Sequence, residues 1–88
     1  METRVAMIGI IVENADSVEK MNQLLHQNSQ YIIGRMGIPY RERHVSIISV
    51  VIDAPADVIS SLSGRLGMLP GISTKTVYSK VKTEEEAQ

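Results

Sequence analysis

The sequence predicts an α+β fold in which a four-stranded antiparallel sheet carries two helices on one face. Residues 4–12 and 45–53 are apolar at both odd and even positions, which is typical of central strands covered on both sides. Two further stretches carry apolar residues at helical spacing and form the predicted helices. These residues are Val18, Met21, Leu24 and Leu25 in the first helix and Val58, Ile59, Leu62 and Leu66 in the second. The resulting order is βαββαβ, the split βαβ pattern of the ferredoxin-like fold.

The chain opens with a strand followed by a helix. Residues 4–12, RVAMIGIIV, form the strand, and the helix follows within residues 14–28. Asp16 with Glu19 three positions later resembles a capping box, and Asn14 is a competing cap earlier in the chain. The sequence therefore predicts a helix that starts at one of these two polar residues.

The second predicted strand spans residues 31–38, YIIGRMGI. Simple alternation places Ile32 and Met36 on one face of this strand and Arg35 on the other. Pro39 has no N–H to donate to a sheet ladder, so it either ends the strand or lies on an edge.

The second half of the chain repeats the strand–helix–strand arrangement. Residues 45–53, VSIISVVID, form the third strand, and Pro55 suits the first position of the second helix. Gly67 is a plausible residue just beyond the end of that helix. Residues 72–81, ISTKTVYSKV, form the last strand, which Lys75 and Lys80 mark as an edge protected against unwanted pairing.

Right-handed crossovers place both helices on the same face of the sheet and give the strand order 4-1-3-2. The first and third strands then lie in the centre, which suits the two most apolar strands. We expect a single domain over residues 1–81, followed by a flexible acidic tail over residues 82–88.

Two helices can cover only one face of such a sheet, yet the central strands offer Val and Ile on both faces. The uncovered face would expose more apolar surface than monomers usually tolerate. The sequence therefore predicts self-association through this face or through an edge strand, as a homodimer or homotetramer.

Composition narrows the class of protein. The chain has 88 residues, no Cys, Phe or Trp and a formal net charge of −1. Disulfides, iron–sulfur ligation by this chain and thiol catalysis are excluded. Nine basic residues oppose ten acidic ones, three of them in the tail, which is too little positive charge to indicate direct nucleic-acid binding. Residues 5–12 are too short an apolar run to span a bilayer, so we expect a cytoplasmic protein.

Catalytic and metal-binding patterns are not visible. His26 and His44 form no ligand pair, and the alternative is a site shared between subunits and built from copies of His44 and Glu42. No Ser lies in a nucleophile elbow. Asp53 and Asp57 flank the second helix, where capping is the expected role. We therefore expect no catalytic residue, no metal and no cofactor.

The stretch GRMGIPYRER, residues 34–43, contains three of the five arginines. Arg41 and Arg43 would point the same way in an extended chain, with Arg35 across the Pro39 turn. Arginine clusters bind carboxylates or phosphates. Three interpretations stay open: a solvated hairpin, a site for an anionic effector, or a contact with a protein or nucleic acid.

Three long stretches carry a family resemblance: RVAMIGIIVENADSVEKMNQLLH, GRMGIPYRERHVSIISVVIDAP and ISSLSGRLGMLPGISTKTVYSK. They closely resemble the small proteins described as regulators of an iron-only hydrogenase system, over about residues 3–81. The resemblance implies an ACT-like, ferredoxin-like domain. Such a domain is similar in architecture to the C-terminal domain of nickel-responsive ribbon-helix-helix repressors. The resemblance also implies a link to regulation or assembly of [FeFe]-hydrogenase.

The chain departs from the nickel-responsive domain in two respects. It has no Cys and only two His, so nickel sensing is not implied. We expect the first strand to begin near Thr3 or Arg4 with no DNA-binding module before it, so transcription regulation would act through a partner or an assembled basic face. ACT-like domains often bind amino acids near the loop after the first strand, here residues 13–16, but this loop lacks the glycine common there.

The function predicted is a non-catalytic regulatory or sensor domain that acts as a homo-oligomer. Its partners would be a second copy, a small-molecule or anionic effector, and a hydrogenase maturation or regulatory protein. The alternatives are a scaffold in hydrogenase maturation and direct nucleic-acid binding by an oligomeric basic face. The candidate ligand- or partner-binding residues are Arg35, Tyr40, Arg41, Arg43, His44 and Asn14.

Overall fold

The structure is a computed structural model that describes residues 2–80. Its fold is a four-stranded antiparallel sheet with two helices packed on one side. The strands are β1 (Arg4–Val12), β2 (Ile32–Tyr40), β3 (Val45–Ala54) and β4 (Ile72–Tyr78), and the helices are α1 (Val18–Gln27) and α2 (Ala56–Gly67). Short 3-10 turns span Ala15–Ser17, Ser29–Tyr31 and Arg41–Arg43. The predicted tail, residues 82–88, lies outside the described residues, and the domain end at residue 81 stays a prediction.

The order of the strands across the sheet is β2-β3-β1-β4, with every neighbouring pair antiparallel. This confirms the predicted fold class and the order 4-1-3-2. The two strands that are apolar at both parities, β1 and β3, occupy the centre. Pro39 lies inside β2 opposite Ser46, which an edge strand tolerates because its outer side needs no donor.

The core lies between the sheet and the helices. Even-numbered residues of β1 and β3 point toward the helices, and Ile8, Val50 and Ile52 are fully buried there. The residues that the helices contribute are the apolar ones predicted from helical spacing. Those that are buried are Met21, Leu25, Ile59, Leu62 and Leu66.

The opposite face of the sheet carries no helix. We call it the open face; its strand residues are Val5, Met7, Gly9 and Ile11, Val45, Ile47, Ser49, Val51 and Asp53, Gly34, Met36, Ile38 and Tyr40, and Ser73, Lys75 and Val77. Met7 is 46% exposed, Ile11 45% and Val77 61%. The described chain thus presents a broad apolar surface at the position predicted from the two-sided strands.

The faces of β2 differ from the prediction at its start. A β-bulge between Ile32 and Gly34 shifts the register, so that Ile32 pairs with inward-facing Ile52 whereas Gly34 pairs with outward-facing Val51. One extra residue reverses the side on which the following residues lie. The prediction from simple alternation, that Ile32 and Met36 share one face, is therefore wrong. Arg35 lies on the helix side together with Ile32.

The helix boundaries differ from the predictions, since Ser17 is at the cap position of α1 and neither Asn14 nor Asp16 is. The Oδ1 atom of Asn14 accepts a hydrogen bond of 2.9 Å from the backbone N–H of Asp16, so Asn14 caps the 3-10 turn that leads into α1. Pro55 is the cap of α2 and not its first helical residue, and Gly67 is the last residue of that helix. None of the helices within residues 2–80 is long and apolar enough to cross a bilayer.

The two acids at the start of α2 were both expected to cap it, and the structure separates their roles. The Oδ1 atom of Asp57 accepts a bond of 3.0 Å from the adjacent N–H of Val58. Pro55, at the cap position, makes no side-chain hydrogen bond. Asp53 lies on β3 and points to the open face, where its Oδ1 atom is buried and has no hydrogen-bond partner among residues 2–80. Capping is therefore wrong for Asp53.

Candidate functional site

The turn between β2 and β3 holds most of the basic residues that the sequence singled out. Residues Arg41–Arg43 form a 3-10 turn, and the backbone N–H of His44 closes it with a bond of 3.2 Å to the carbonyl of Arg41. His44 has φ 56° and ψ 39°, a left-handed conformation that histidine adopts more readily than most residues. This local geometry sets the directions of the arginine side chains.

Arg41 and Arg43 do not point the same way. The prediction assumed an extended chain, in which residues two apart share a side. In a 3-10 turn, with three residues per turn, they lie about 120° apart around the axis. Arg41 lines a cavity beside the turn, and Arg43 is exposed outside it.

The cavity beside the turn has a volume of about 300 Å³ and is open to solvent at one side. Its apolar wall comes from the end of β1, the start of α1 and the end of β2, and its polar groups are Arg41, His44 and Ser46. The residues that line it are Val12, Ala15, Val18, Pro39, Arg41, His44, Val45 and Ser46. We call it the turn cavity.

The turn cavity combines the groups that a small acid requires. Arg41 offers planar paired N–H donors that match a carboxylate or phosphate, and His44 offers ring nitrogens. The valines beside them can take an apolar group of the same ligand. The arrangement can bind a small anion with an apolar part.

Asn14 lies next to the turn cavity but has a structural role. Its side chain caps the turn that contains Ala15, one of the residues of the cavity wall. The segment just before β4 holds this loop in place. The N–H of Glu13 donates a hydrogen bond of 2.7 Å to the carbonyl of Gly71, and the Ser17 hydroxyl donates one of 2.6 Å to the carbonyl of Pro70. Asn14 therefore holds one wall of the cavity in place without lining it.

Arg35 and Tyr40 lie elsewhere. Arg35 is six residues before Arg41, which corresponds to about 20 Å of extended strand. Its Nη1 donates a bond of 3.2 Å to Oδ1 of Asn22 on α1, in an open cleft of about 500 Å³ that His26 also lines. Tyr40 pairs with Val45 at the end of the open face.

Sequence reasoning missed the lining residues Val12 and Val18 as parts of a site. Their apolar side chains gave no signal distinct from core packing. The partnership of Asn22 with Arg35 was also missed, because it depends on the bulge that turns Arg35 toward α1.

The arginines are dispersed over the described chain. Arg4 packs over the ring of Tyr78, with 4.9 Å between its Cζ and the ring centroid. Its Nη2 donates a hydrogen bond of 2.7 Å to the carbonyl of Ser79. Arg65 lies on α2, away from the turn. Within residues 2–80, no three His, Cys, Asp or Glu side chains come together as a metal-binding group.

Solved structures resemble this fold. The uncharacterized protein TM1266 from Thermotoga maritima superposes with a TM-score of 0.86 at 38% sequence identity, covering 90% of this chain and 100% of that one. A formyltetrahydrofolate deformylase from Pseudomonas putida KT2440 matches with a TM-score of 0.61 at 13% identity, covering 83% of this chain and 28% of the deformylase. The second likeness shows the fold alone.

Comparison at the level of sequence gives the family. No curated protein matches the chain. A family model matches residues 4–76, which include both helices and almost all of the sheet, and its description reads "Iron-only hydrogenase system regulator, putative". The chain belongs to this TM1266-like family.

Proposed function

We propose that the chain is a non-catalytic regulatory domain of an iron-only hydrogenase system that works in the cytoplasm as a homo-oligomer. Regulation would pass through an effector or a partner protein. The family description supports a role in an iron-only hydrogenase system. The exposed apolar residues of the open face are the observation that supports a homo-oligomer. Met7, Ile11, Ile47 and Val77 are each more than two-fifths exposed on that face, and a second copy would remove them from water.

Self-association is expected at micromolar concentration, measured by analytical ultracentrifugation. Ile47→Glu should shift the species toward monomer, because it places a charge in the middle of the apolar surface. Ser60→Glu is the matched control, since it adds the same charge on the exposed surface of α2. A wild-type chain that remains strictly monomeric, or equal effects of the two variants, would contradict the homo-oligomer.

The turn cavity is the effector site in this proposal. Its volume suits a small molecule, and Arg41 with His44 suits an acid group. A thermal-shift screen with amino acids, nucleotides and inorganic phosphate is the measurement. A compound present at about 100 times its dissociation constant should add roughly 2.7 kcal/mol to the free energy of unfolding.

Arg41→Ala is expected to abolish the shift given by the compound that stabilises the wild-type chain. Arg43→Ala is the matched control, since it removes the same charge from the same turn but outside the cavity. The effector role of the cavity fails if no compound stabilises the protein, or if the two variants lose the shift equally.

A further inference from the structure

The open face carries very little charge. Among its strand residues within the described part of the chain, one is acidic and one is basic: Asp53 on β3 and Lys75 on β4. A surface with one acid and one base can be complementary to itself. In an isologous dimer, where each residue contact occurs twice, the acid of each copy can meet the base of the other.

Among the described residues, nothing donates a hydrogen bond to the Oδ1 atom of Asp53. The side chain is only partly exposed, and this oxygen atom is buried. A carboxylate that is already partly removed from water gains more from a nearby cation than a fully hydrated one does. Lys75 is exposed on the same face, on the edge strand β4. Because β1 lies between β4 and β3, Lys75 is too far from Asp53 of its own chain to pair with it.

The strand register gives the positions of the two charges. Asp53 pairs with Val5, and Lys75 pairs with Gly9, on opposite sides of β1. The charges are thus two strand spacings apart across the sheet and four residues apart along it, about 16 Å in all. The point midway between them on β1 is Met7.

From this register we infer that two copies associate face to face around a two-fold axis. The axis lies between the two sheets, parallel to them, and passes over Met7. Asp53 of each copy then pairs with Lys75 of the other. The inference rests on the self-association proposed above and adds its geometry. Only an axis through the midpoint of two positions exchanges them. Met7 is itself an exposed apolar residue, with Val51 and Val77 as its register partners.

The same axis explains a hollow on the open face. Gly9 has no side chain, and a cavity of about 270 Å³ lies there between Ile11, Ile47 and Lys75. Because the line from Asp53 to Lys75 runs obliquely across the strands, the strands of the two copies cross at a steep angle, as in orthogonal sheet packing. With that crossing, Val51 of the second copy lies over Gly9 and fills the hollow.

Charge reversal tests the pairing. Asp53→Lys and Lys75→Glu should each weaken the dimer by at least about tenfold in dissociation constant, since each brings like charges together twice. The double variant should recover affinity to within a few fold of the wild-type chain. Sedimentation gives the dissociation constants, and circular dichroism confirms that each variant is folded. If Asp53→Lys fails to fold, Lys75→Glu alone and the cross-link below retain the test.

Single cysteines test the axis, because the natural chain has none. Across packed sheets about 10 Å apart, two Met7→Cys residues should be joined by a bis-maleimide of matching length. Ile11→Cys is the control on the same strand with the same exposure, and its two copies should lie more than about 20 Å apart. Equal cross-linking, or a double charge variant no tighter than the singles, would overturn this arrangement while leaving the self-association intact. A monomeric wild-type chain would overturn both.

Discussion

Replacing Gly71 with Ala is expected to lower the free energy of unfolding by at least about 1–2 kcal/mol, from backbone strain alone. Gly71 has φ +71°, a left-handed conformation that alanine adopts at a cost. A Cβ at this position would also lie 2.6 Å from the Cβ of Asn14 and 2.9 Å from its backbone N, and neither atom is the end of a flexible side chain. The loop would have to move, and the total loss should exceed the strain term.

Thermal or denaturant unfolding measures this loss. Gly64→Ala is the matched control, since Gly64 lies in α2 and a Cβ there would meet nothing within 4 Å. That substitution should raise the free energy of unfolding by about 0.5–1 kcal/mol, because alanine is the better helix former. Equal stability of the Gly71→Ala and wild-type proteins would contradict the contact between Gly71 and Asn14. The thermal shift given by an effector should also weaken in Gly71→Ala, since the Asn14 loop forms a wall of the turn cavity.

Replacing Ile8 with Ala is expected to have an effect of similar or larger size. Ile8 is fully buried in the core, and removing three of its carbon atoms should cost about 2–5 kcal/mol in the free energy of unfolding. For a domain of this length the unfolding midpoint would fall by about 10 °C or more. The fall should be the same at every protein concentration, because the cavity forms inside one chain.

Met7→Ala is the adjacent control. Met7 points to the open face and is 46% exposed, so its loss should cost little within one chain. In the proposed oligomer the same substitution would remove an interface contact, and its effect on the midpoint should grow at higher protein concentration. A large loss at Met7 that does not change with concentration, or a small loss at Ile8, would contradict the division of β1 into a core side and an interface side.

Most of the fold could be predicted from the sequence because its determinants are local patterns. The two-sided apolar strands β1 and β3 indicated their central position, and helical spacing identified Met21, Leu25 and Leu62 as core residues. Each of these signals lies within a dozen consecutive residues. They also specify the open face, because two helices of this length can cover only one side of the sheet.

The side assignments on β2 could not be predicted the same way. The bulge at Ile32–Gly34 depends on how β2 pairs with β3, and no residue type in YIIGRMGI requires it. Alternation without the bulge placed Arg35 on the side opposite Ile32, when in fact both face α1. The 3-10 turn at Arg41–Arg43 is similar, because RER is compatible with extended chain and with a turn.

The turn cavity was predicted only in part. Arg41 and His44 stood out by charge, but the walls come from residues separated by more than 30 positions along the chain, such as Val12 and Val45. The support of Asn14 by Gly71 spans a still longer separation. Contacts of this kind arise from the packed fold, so single-residue signals do not reveal them.

Strand β2 belongs to two surfaces at once. Met36 and Ile38 lie on the open face, and Pro39, the next residue along, lines the turn cavity beside Arg41. A ligand that changes the free energy of assembly must have its own affinity changed by assembly to the same extent, since thermodynamic coupling between two sites is reciprocal. Because β2 contacts the core only at its start, it connects the open face directly to the turn cavity. In the proposed function, the concentration of the effector would therefore set the number of associated subunits.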